Sequence, residues 1–229
     1  MAGRIVYADV PEPRATSLAT RFFSLLGNGA VSAILAPATR TATVTWSPEV
    51  RAPVHARTAG PVVYVTWHRY NLASTPALLR LPPAERPTLI MHDGLASRAL
   101  THDAGAWFGF EIFVFRRRSR VSPRDQIAAY VRASGRSVMV LPDAGGPYGR
   151  VKPGSLHVAA ACDAWIQPLV PRVRRRLVIG RTLRHVVPLP GCTVDVVWGD
   201  ALAPGTSPEE CQWALDALDP PAAGAFTPP

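Results

Sequence analysis

The first residue that suggests chemistry is a histidine that directly follows an apolar run. The run 62–67 is β-branched and aromatic, as a buried strand requires, and His68 is the next residue. Open α/β sheets bind their ligands at the carboxyl ends of strands. An imidazole there titrates near neutral pH and can take a proton from an attacking hydroxyl or amine. The residues therefore offer two interpretations of His68, a general base or a hydrogen-bonded structural histidine.

A cluster of arginines follows a second apolar run. Arg116 and Arg117 come directly after the run 110–115. Their planar guanidinium groups suit the recognition of phosphate. The alternative is a solvated charge run in the loop between a strand and a helix.

A glycine-rich turn follows a third apolar run, 137–141. It contains Asp143, Gly145 and Gly146. Glycine permits positive φ and a close approach of backbone amides to a ligand, so these amides are candidates to hold a phosphate or an oxyanion. A plain turn before a helix accounts for the same composition.

The other reactive side chains form no recognisable site. The pairs His92-Asp93 and His102-Asp103 lack the spacing of a metal-ligand set, so we assign no metal. The three cysteines are far apart and include no C-x-x-C pair. Neither a nucleotide-binding glycine motif nor a G-x-S-x-G elbow occurs. We therefore expect no metal ion, prosthetic group or other cofactor.

The elements that must position these residues are indicated by alternating patterns. After residue 41, short β-branched or aromatic runs alternate with helical patterns, which predicts an α/β fold with a mixed central sheet flanked by helices. The predicted strands are 41–46, 62–67, 88–92, 110–115, 137–141, 164–170 and 193–198. The predicted helices are 69–81, 95–108, 122–134, 153–162 and 207–218. The helix 122–134 has the clearest boundaries, with Ser122-Pro123 before it and Gly135 after it.

Three segments are predicted along the chain. Residues 1–40 are an N-terminal helical segment, 41–219 the α/β domain, and 220–229 a flexible tail rich in proline and alanine. The stretch 17–37 is the most apolar, but Arg21, Asn28 and two glycines leave too short a run to span a bilayer. It is predicted either to lie in a membrane interface or to cover the sheet as an ordinary amphipathic helix.

Composition restricts the partners. The formal charge of +9 comes almost entirely from arginine, and it attracts anionic lipids, phosphorylated substrates or acidic carrier proteins. No zinc-finger spacing, aromatic RNA-binding box or basic recognition helix is recognisable, so nucleic acid is not expected. The N-terminus lacks the basic-then-apolar order of a secretory signal. We therefore expect a cytoplasmic protein that associates peripherally with the inner face of the membrane if it docks there.

The order of several blocks resembles a known family. The blocks are Trp67-His68, the apolar strand with its arginines at 110–118, Leu-Pro-Asp-Ala-Gly-Gly-Pro at 141–147, and Val-Lys-Pro-Gly-Ser at 151–155. Over about residues 60–202 they resemble the short bacterial branch of the lysophospholipid (glycerolphosphate-type) acyltransferase superfamily. The segments 165–170 and 187–202 resemble later strands of that family.

The resemblance implies a glycerolphosphate acyltransferase-like fold and an acyl-transfer reaction. The donor would be acyl-CoA or acyl-carrier-protein, and the acceptor a hydroxyl or amine of a lipid or small molecule. His68 would deprotonate the acceptor, and Arg116 and Arg117 would bind its phosphate. Asp143 and Gly145, with the adjacent Gly146, would belong to the site.

Two positions depart from the family pattern. The larger superfamily has an acidic residue five positions after the histidine, where this chain has Ala73, so another group must orient the imidazole. We favour Asp93 for that role, at the end of the next predicted strand. Arg69-Tyr70 stands where the branch usually has glycine first, which favours a different acceptor. The alternatives are an acyltransferase of specialised metabolism and a non-catalytic lipid- or carrier-binding relative.

Overall fold

The computed structural model describes residues 3–8, 18–46, 60–94, 103–144, 146–182 and 184–219. Its strands are β1 Ile5–Tyr7, β2 Thr43–Trp46, β3 Val62–Val65, β4 Thr88–His92, β5 Ile112–Phe115, β6 Val138–Val140, β7 Trp165–Ile179 and β8 His185–Trp198. Its α-helices are α1 Leu18–Thr41, α2 Asn71–Leu78, α3 Asp103–Trp107, α4 Pro123–Ser134, α5 His157–Ala161 and α6 Pro208–Leu218. Turns of 3₁₀ helix occur at His68–Tyr70 and Pro153–Ser155.

The strands form one mixed sheet in the order β1-β5-β4-β6-β3-β7-β8-β2. The six strands from β1 to β7 in this order are parallel, whereas β8 runs antiparallel to β7 and pairs in parallel with β2. The carboxyl ends of the six parallel strands therefore lie along one side of the sheet, which we call the carboxyl edge. The predicted α/β class, a mixed central sheet flanked by helices, is confirmed.

Helices cover both faces of the sheet. Tyr64 packs into a core with α2, and its neighbour Val65 packs into a second core with α4, α5 and α6. Successive side chains of a strand point to opposite faces, so one strand contributes to both cores. All four residues of β3 are buried. This is the reason why β3 is continuously apolar rather than alternating.

Two helices begin and end where their sequence signals predict. The Ser122 hydroxyl accepts a hydrogen bond from the Asp125 N–H at the start of α4, and Gly135, with φ of 65°, follows its last residue. At the start of α6, Ser207 and Glu210 form a reciprocal capping box. The predictions of helices at 122–134 and 207–218 are thus confirmed.

The N-terminal segment contains more than the helix predicted for residues 1–40. Strand β1 pairs with β5 at one end of the sheet. The later part of α1 lies against the sheet, with Leu35 and Ala38 buried. Three residues are too few to show a strand periodicity, so β1 has no recognisable sequence signal. No helix in the described ranges is both long and apolar enough to cross a membrane.

Other helix boundaries differ from the predicted ones. The predicted helix 69–81 is a 3₁₀ turn followed by the shorter α2, and 153–162 is a 3₁₀ turn followed by α5. Of the predicted helix 95–108, residues 95–102 lie outside the described residues and α3 covers 103–107. The predicted tail 220–229 also lies outside them.

The largest difference concerns β7 and β8, predicted as the short strands 164–170 and 193–198. They form one long antiparallel hairpin. Pairing of β7 with β3 ends at Pro168, and the rest of β7 has β8 as its partner. Arg175, with φ of 64°, lies at an irregularity in this ladder. The arginine run and the prolines hide the strand pattern in the sequence. We call residues 175–182 and 184–188 the distal hairpin.

Candidate active site at the carboxyl edge

The backbone of His68 is held by a carboxylate from the neighbouring strand. The His68 N–H donates to Oδ1 of Asp143 over 2.8 Å, and Asp143 follows β6, which pairs with β3. Oδ2 of Asp143 accepts the N–H of Gly149 over 2.9 Å. The Asp143 side chain is buried, and amide donors are the partners that a buried carboxylate requires. Asp143 therefore fastens the turn after β6 to the end of β3.

The His68 imidazole is half-buried between two other rings. Its centroid lies 5.8 Å from that of Tyr148 and 5.5 Å from that of His185, both with edge-on geometry. Burial lowers the pKa of His68 below its ordinary value; the Asp143 carboxylate opposes this shift, and His185 adds to it. The ring is therefore neutral at neutral pH, which is the form that a general base needs.

Unpartnered polar atoms concentrate at this place. Within the described part of the chain, four buried side-chain polar atoms have no hydrogen-bond partner: Thr66 Oγ1, His68 Nδ1, Arg69 Nε and His185 Nδ1. Three of them belong to the stretch 66–69 directly after β3, and the fourth to the histidine whose ring faces His68. Such atoms are rare in folded proteins, and they commonly mark a bound ligand, an ion, an ordered water or a catalytic role.

Asp93 and the predicted arginines meet farther along the carboxyl edge. Oδ1 of Asp93 accepts the backbone N–H of Arg117 over 3.3 Å. The buried Gln126 side chain accepts the N–H of Arg116 over 2.9 Å and donates to its carbonyl over 3.0 Å. These contacts shape the loop after β5.

The strand order separates Asp93 from His68. Strand β6 lies between β4 and β3, which places the two strand axes about 10 Å apart. The described contacts bring Asp143, and not Asp93, to His68. The predicted pairing of Asp93 with His68 is therefore not among the contacts of the structure, because β6 and not β4 is the neighbour of β3.

The amides of Gly146 and Gly149 in the glycine turn are used internally. Gly146 has φ of 66°, and its N–H donates to the Asp143 carbonyl over 3.1 Å. The Gly149 N–H is bound to the Asp143 carboxylate. Gly145 lies outside the described residues. The role predicted for this turn in holding a phosphate or an oxyanion stays a prediction.

A cavity of about 450 Å³ opens along the carboxyl edge on the side of α4 and α5. Its walls are mainly apolar and include Phe115 and Ile127. Residues on either side of Asp143 also line it, so the cavity and His68 share one loop. Two cationic side chains, Arg124 and Lys152, belong to its lining.

Packing accounts for Ala73 and Arg69, the residues near His68 that differ from the resembled pattern. Ala73 is fully buried in the core formed with α2, where an acidic side chain would lie among apolar neighbours. The Arg69 guanidinium forms an ion pair with Asp219, the residue that follows α6, and its centre lies 5.0 Å from the centroid of the Tyr70 ring. Arg69 therefore fastens the end of α6 to the 3₁₀ turn that carries His68.

Three residues around His68 were not predicted as site residues: Thr66, Tyr148 and His185. Thr66 belongs to the apolar run before His68 and has no signal of its own. The other two are brought to His68 by the fold, since Tyr148 comes from the turn after β6 and His185 from the start of β8. A lone histidine at the start of a strand carries no sequence signal of this kind.

No group of three or more potential metal ligands occurs within the described ranges. A scan against protein-family models gave no match, and a search of curated proteins gave none either.

Proposed function

We propose that the protein is an acyltransferase with a glycerolphosphate acyltransferase-like fold, and that His68 is its general base. It moves an acyl chain from an acyl-CoA or acyl-carrier-protein thioester to a hydroxyl or amine of a lipid or small-molecule acceptor. One observation carries the proposal: the neutral His68 imidazole lies among the four unpartnered buried polar atoms at the end of β3. Such an arrangement supports a site that polar groups of a substrate complete.

In the proposed reaction, His68 accepts the proton of the acceptor hydroxyl while the oxygen attacks the thioester carbonyl. The new C–O bond forms, and the carbonyl electron pair moves onto oxygen. When the tetrahedral intermediate collapses, the C–S bond breaks and the thiolate takes the proton back from the imidazolium. The Asp143 charge raises the pKa of His68 against burial, so it favours the imidazolium that exists between these steps.

The cavity supports a donor with an apolar chain. A volume of about 450 Å³ lies within the range of small-molecule sites. Burial of an acyl chain in it would stabilise the complex by roughly 0.8 kcal/mol per methylene. Arg124 and Lys152 in the lining, together with Arg116 and Arg117 after β5, offer charge for phosphate groups of the donor or the acceptor.

The test is thiol release from acyl-CoA and acyl-carrier-protein donors, with lysophospholipid, glycerol phosphate and amine acceptors. We expect release that depends on an acceptor and falls by about 10²- to 10⁴-fold in His68→Ala. His157→Ala is the matched control, because it removes an imidazole that pairs with Asp125 and not with His68. Equal release by wild type and His68→Ala would refute the general-base role.

The cavity also favours a second candidate, a non-catalytic protein that binds an acyl chain or an acylated carrier. It predicts retention of the labelled acyl donor on the wild-type protein without thiol release for any acceptor of the panel. A chain-length series would then show affinity that rises with each added methylene until the cavity is full.

A further inference from the structure

The distal hairpin exposes consecutive aliphatic side chains. Leu177, Val178 and Ile179 are 50%, 43% and 46% exposed at the end of β7. On the opposite strand, Val186 and Val187 are 7% and 3% exposed, so β8 anchors the hairpin to the body while β7 presents its aliphatic residues to solvent. Because successive side chains of a strand point to opposite faces, Leu177 and Ile179 make a small apolar patch on one face, of the kind that marks a contact surface, and Val178 lies on the other face.

The same hairpin is uniformly basic. Arg175, Arg176, Arg181 and Arg184 belong to it, and no acidic residue occurs between residues 164 and 194. None of the described salt bridges involves these four arginines. Arg176 donates to the Val173 carbonyl over 2.6 Å, and all four residues are exposed a few positions from the apolar patch, so the hairpin offers positive charge to an anionic partner.

The register relates this patch to the candidate active site. Ile179 pairs with His185 and Leu177 pairs with Val187. Residues directly opposite each other project from the same face, and so do residues two positions apart. Leu177 and Ile179 therefore share a face with His185, whose ring packs against His68.

We propose that the distal hairpin docks the protein on an anionic lipid surface. Leu177 and Ile179 insert at the boundary between headgroups and acyl chains, and arginines of the hairpin, Arg181 and Arg184 among them, bind the lipid phosphates. An exposed element that carries both aliphatic and guanidinium groups matches the two components of such a boundary. Docking does not depend on the proposed function. If the protein also carries out the proposed acyl transfer, a lipid acceptor would enter beside His68.

The rival docking element is α1, which lies in the most apolar stretch of the sequence. Leu26 and Ile34 are 54% and 46% exposed on it. They lie eight positions apart, and the later part of the helix packs against the sheet. Leu177 and Ile179 of the distal hairpin are two positions apart on one face and have more basic neighbours, so the hairpin is the better match to a lipid surface.

The test is flotation of the full chain with vesicles of phosphatidylcholine alone and of phosphatidylcholine mixed with phosphatidylglycerol. We expect binding to the mixed vesicles only. The double variant Leu177→Ser/Ile179→Ser should weaken it about tenfold through lost apolar burial. Arg181→Gln/Arg184→Gln should weaken it roughly twentyfold at low salt through lost charge. Melting temperatures near that of wild type establish that these exposed substitutions leave the fold intact.

Leu26→Ser/Ile34→Ser is the matched control, since it removes two exposed aliphatic side chains from α1. Equal vesicle binding by the Leu177/Ile179 variant and wild type would overturn the proposal. Loss of binding in the α1 variant alone would assign docking to α1. Loss in the arginine variant alone would make the hairpin a general anion-binding surface, for acidic proteins or nucleic acid, and this also contradicts lipid docking. None of these outcomes depends on thiol release, so failure here is distinguishable from failure of the proposed reaction.

Discussion

The two edges of the central sheet differ in whether their buried polar groups have hydrogen-bond partners. The side of the sheet where the parallel strands begin is here called the amino edge. There the Glu111 carboxylate, directly before β5, accepts hydrogen bonds from Arg4, over 2.7 Å, and from the Tyr130 hydroxyl. Arg136 lies 3.6 Å from the same carboxylate, and Thr88 lies 2.9 Å from the Tyr130 oxygen. Each of these groups has a protein partner. A closed network of this kind stabilises a fold and leaves nothing for a ligand to complete.

At the carboxyl edge the partnering is incomplete. The Asp143 carboxylate is satisfied by two backbone amides, but Nδ1 of His68 and of His185 are buried without partners among the described residues. Both edges thus bury titratable groups, but among the described residues the buried side-chain donors and acceptors without a partner lie around His68 at the carboxyl edge. Incomplete partnering, rather than burial or charge, therefore distinguishes the candidate site from a structural polar cluster.

The greatest loss of stability is expected for Asp143→Ala, which leaves two backbone amides at the carboxyl edge without an acceptor. The His68 and Gly149 amides would both lose their acceptor, so we expect a loss of about 2 to 4 kcal/mol in the free energy of unfolding. Urea unfolding measures it. Asp200→Ala, at an exposed carboxylate, is the control and should change stability by less than about 0.5 kcal/mol. An unfolding midpoint like that of wild type would mean that Asp143 does not fasten the two strands.

A smaller loss of stability is expected for Glu111→Gln at the amino edge. The amide retains an acceptor for Tyr130 but loses the charge that Arg4 and Arg136 face, so about 1 to 2 kcal/mol of stability should be lost. Thiol release at a temperature where the variant is folded should stay near the wild-type rate. A loss of release as large as that of His68→Ala would erase the distinction between the two edges.

The smallest expected effect is the dependence of stability on pH. Burial lowers the pKa of both His68 and His185, so in the folded state each ring stays neutral at pH values where it would be protonated in the unfolded chain. Their contribution to stability is therefore present above the ordinary histidine pKa of about 6.5 and is lost as pH falls below it. We expect the melting temperature to fall by a few degrees between about pH 8 and about pH 5.5.

The double variant His68→Gln/His185→Gln should flatten this dependence. Glutamine keeps a polar side chain of similar length and has no charge to gain. In the proposed reaction, the same low pKa would move the acidic limb of the thiol-release rate to a pH below about 6.5. A pH profile that the double variant does not alter would assign the acid sensitivity to other groups.

Much of the local structure could be predicted from the sequence, and the reason differs between elements. The helices at 122–134 and 207–218 carry their own caps, and capping depends on residues close in the chain. Most strand positions follow from short apolar runs. The long hairpin could not be predicted, because arginines and prolines interrupt its periodicity and its strands are stabilised by pairing with each other.

The α/β class, the strand ends that carry His68, Arg116 and Asp143, and the basic character of the chain all follow from the sequence alone. These properties depend on composition and on local periodicity. Which groups meet depends on the tertiary structure: Asp143 rather than Asp93 lies beside His68, and His185 reaches the same place from a strand far along the chain. Strand order decides such neighbours, and it results from packing among residues far apart in the chain, which no local pattern records.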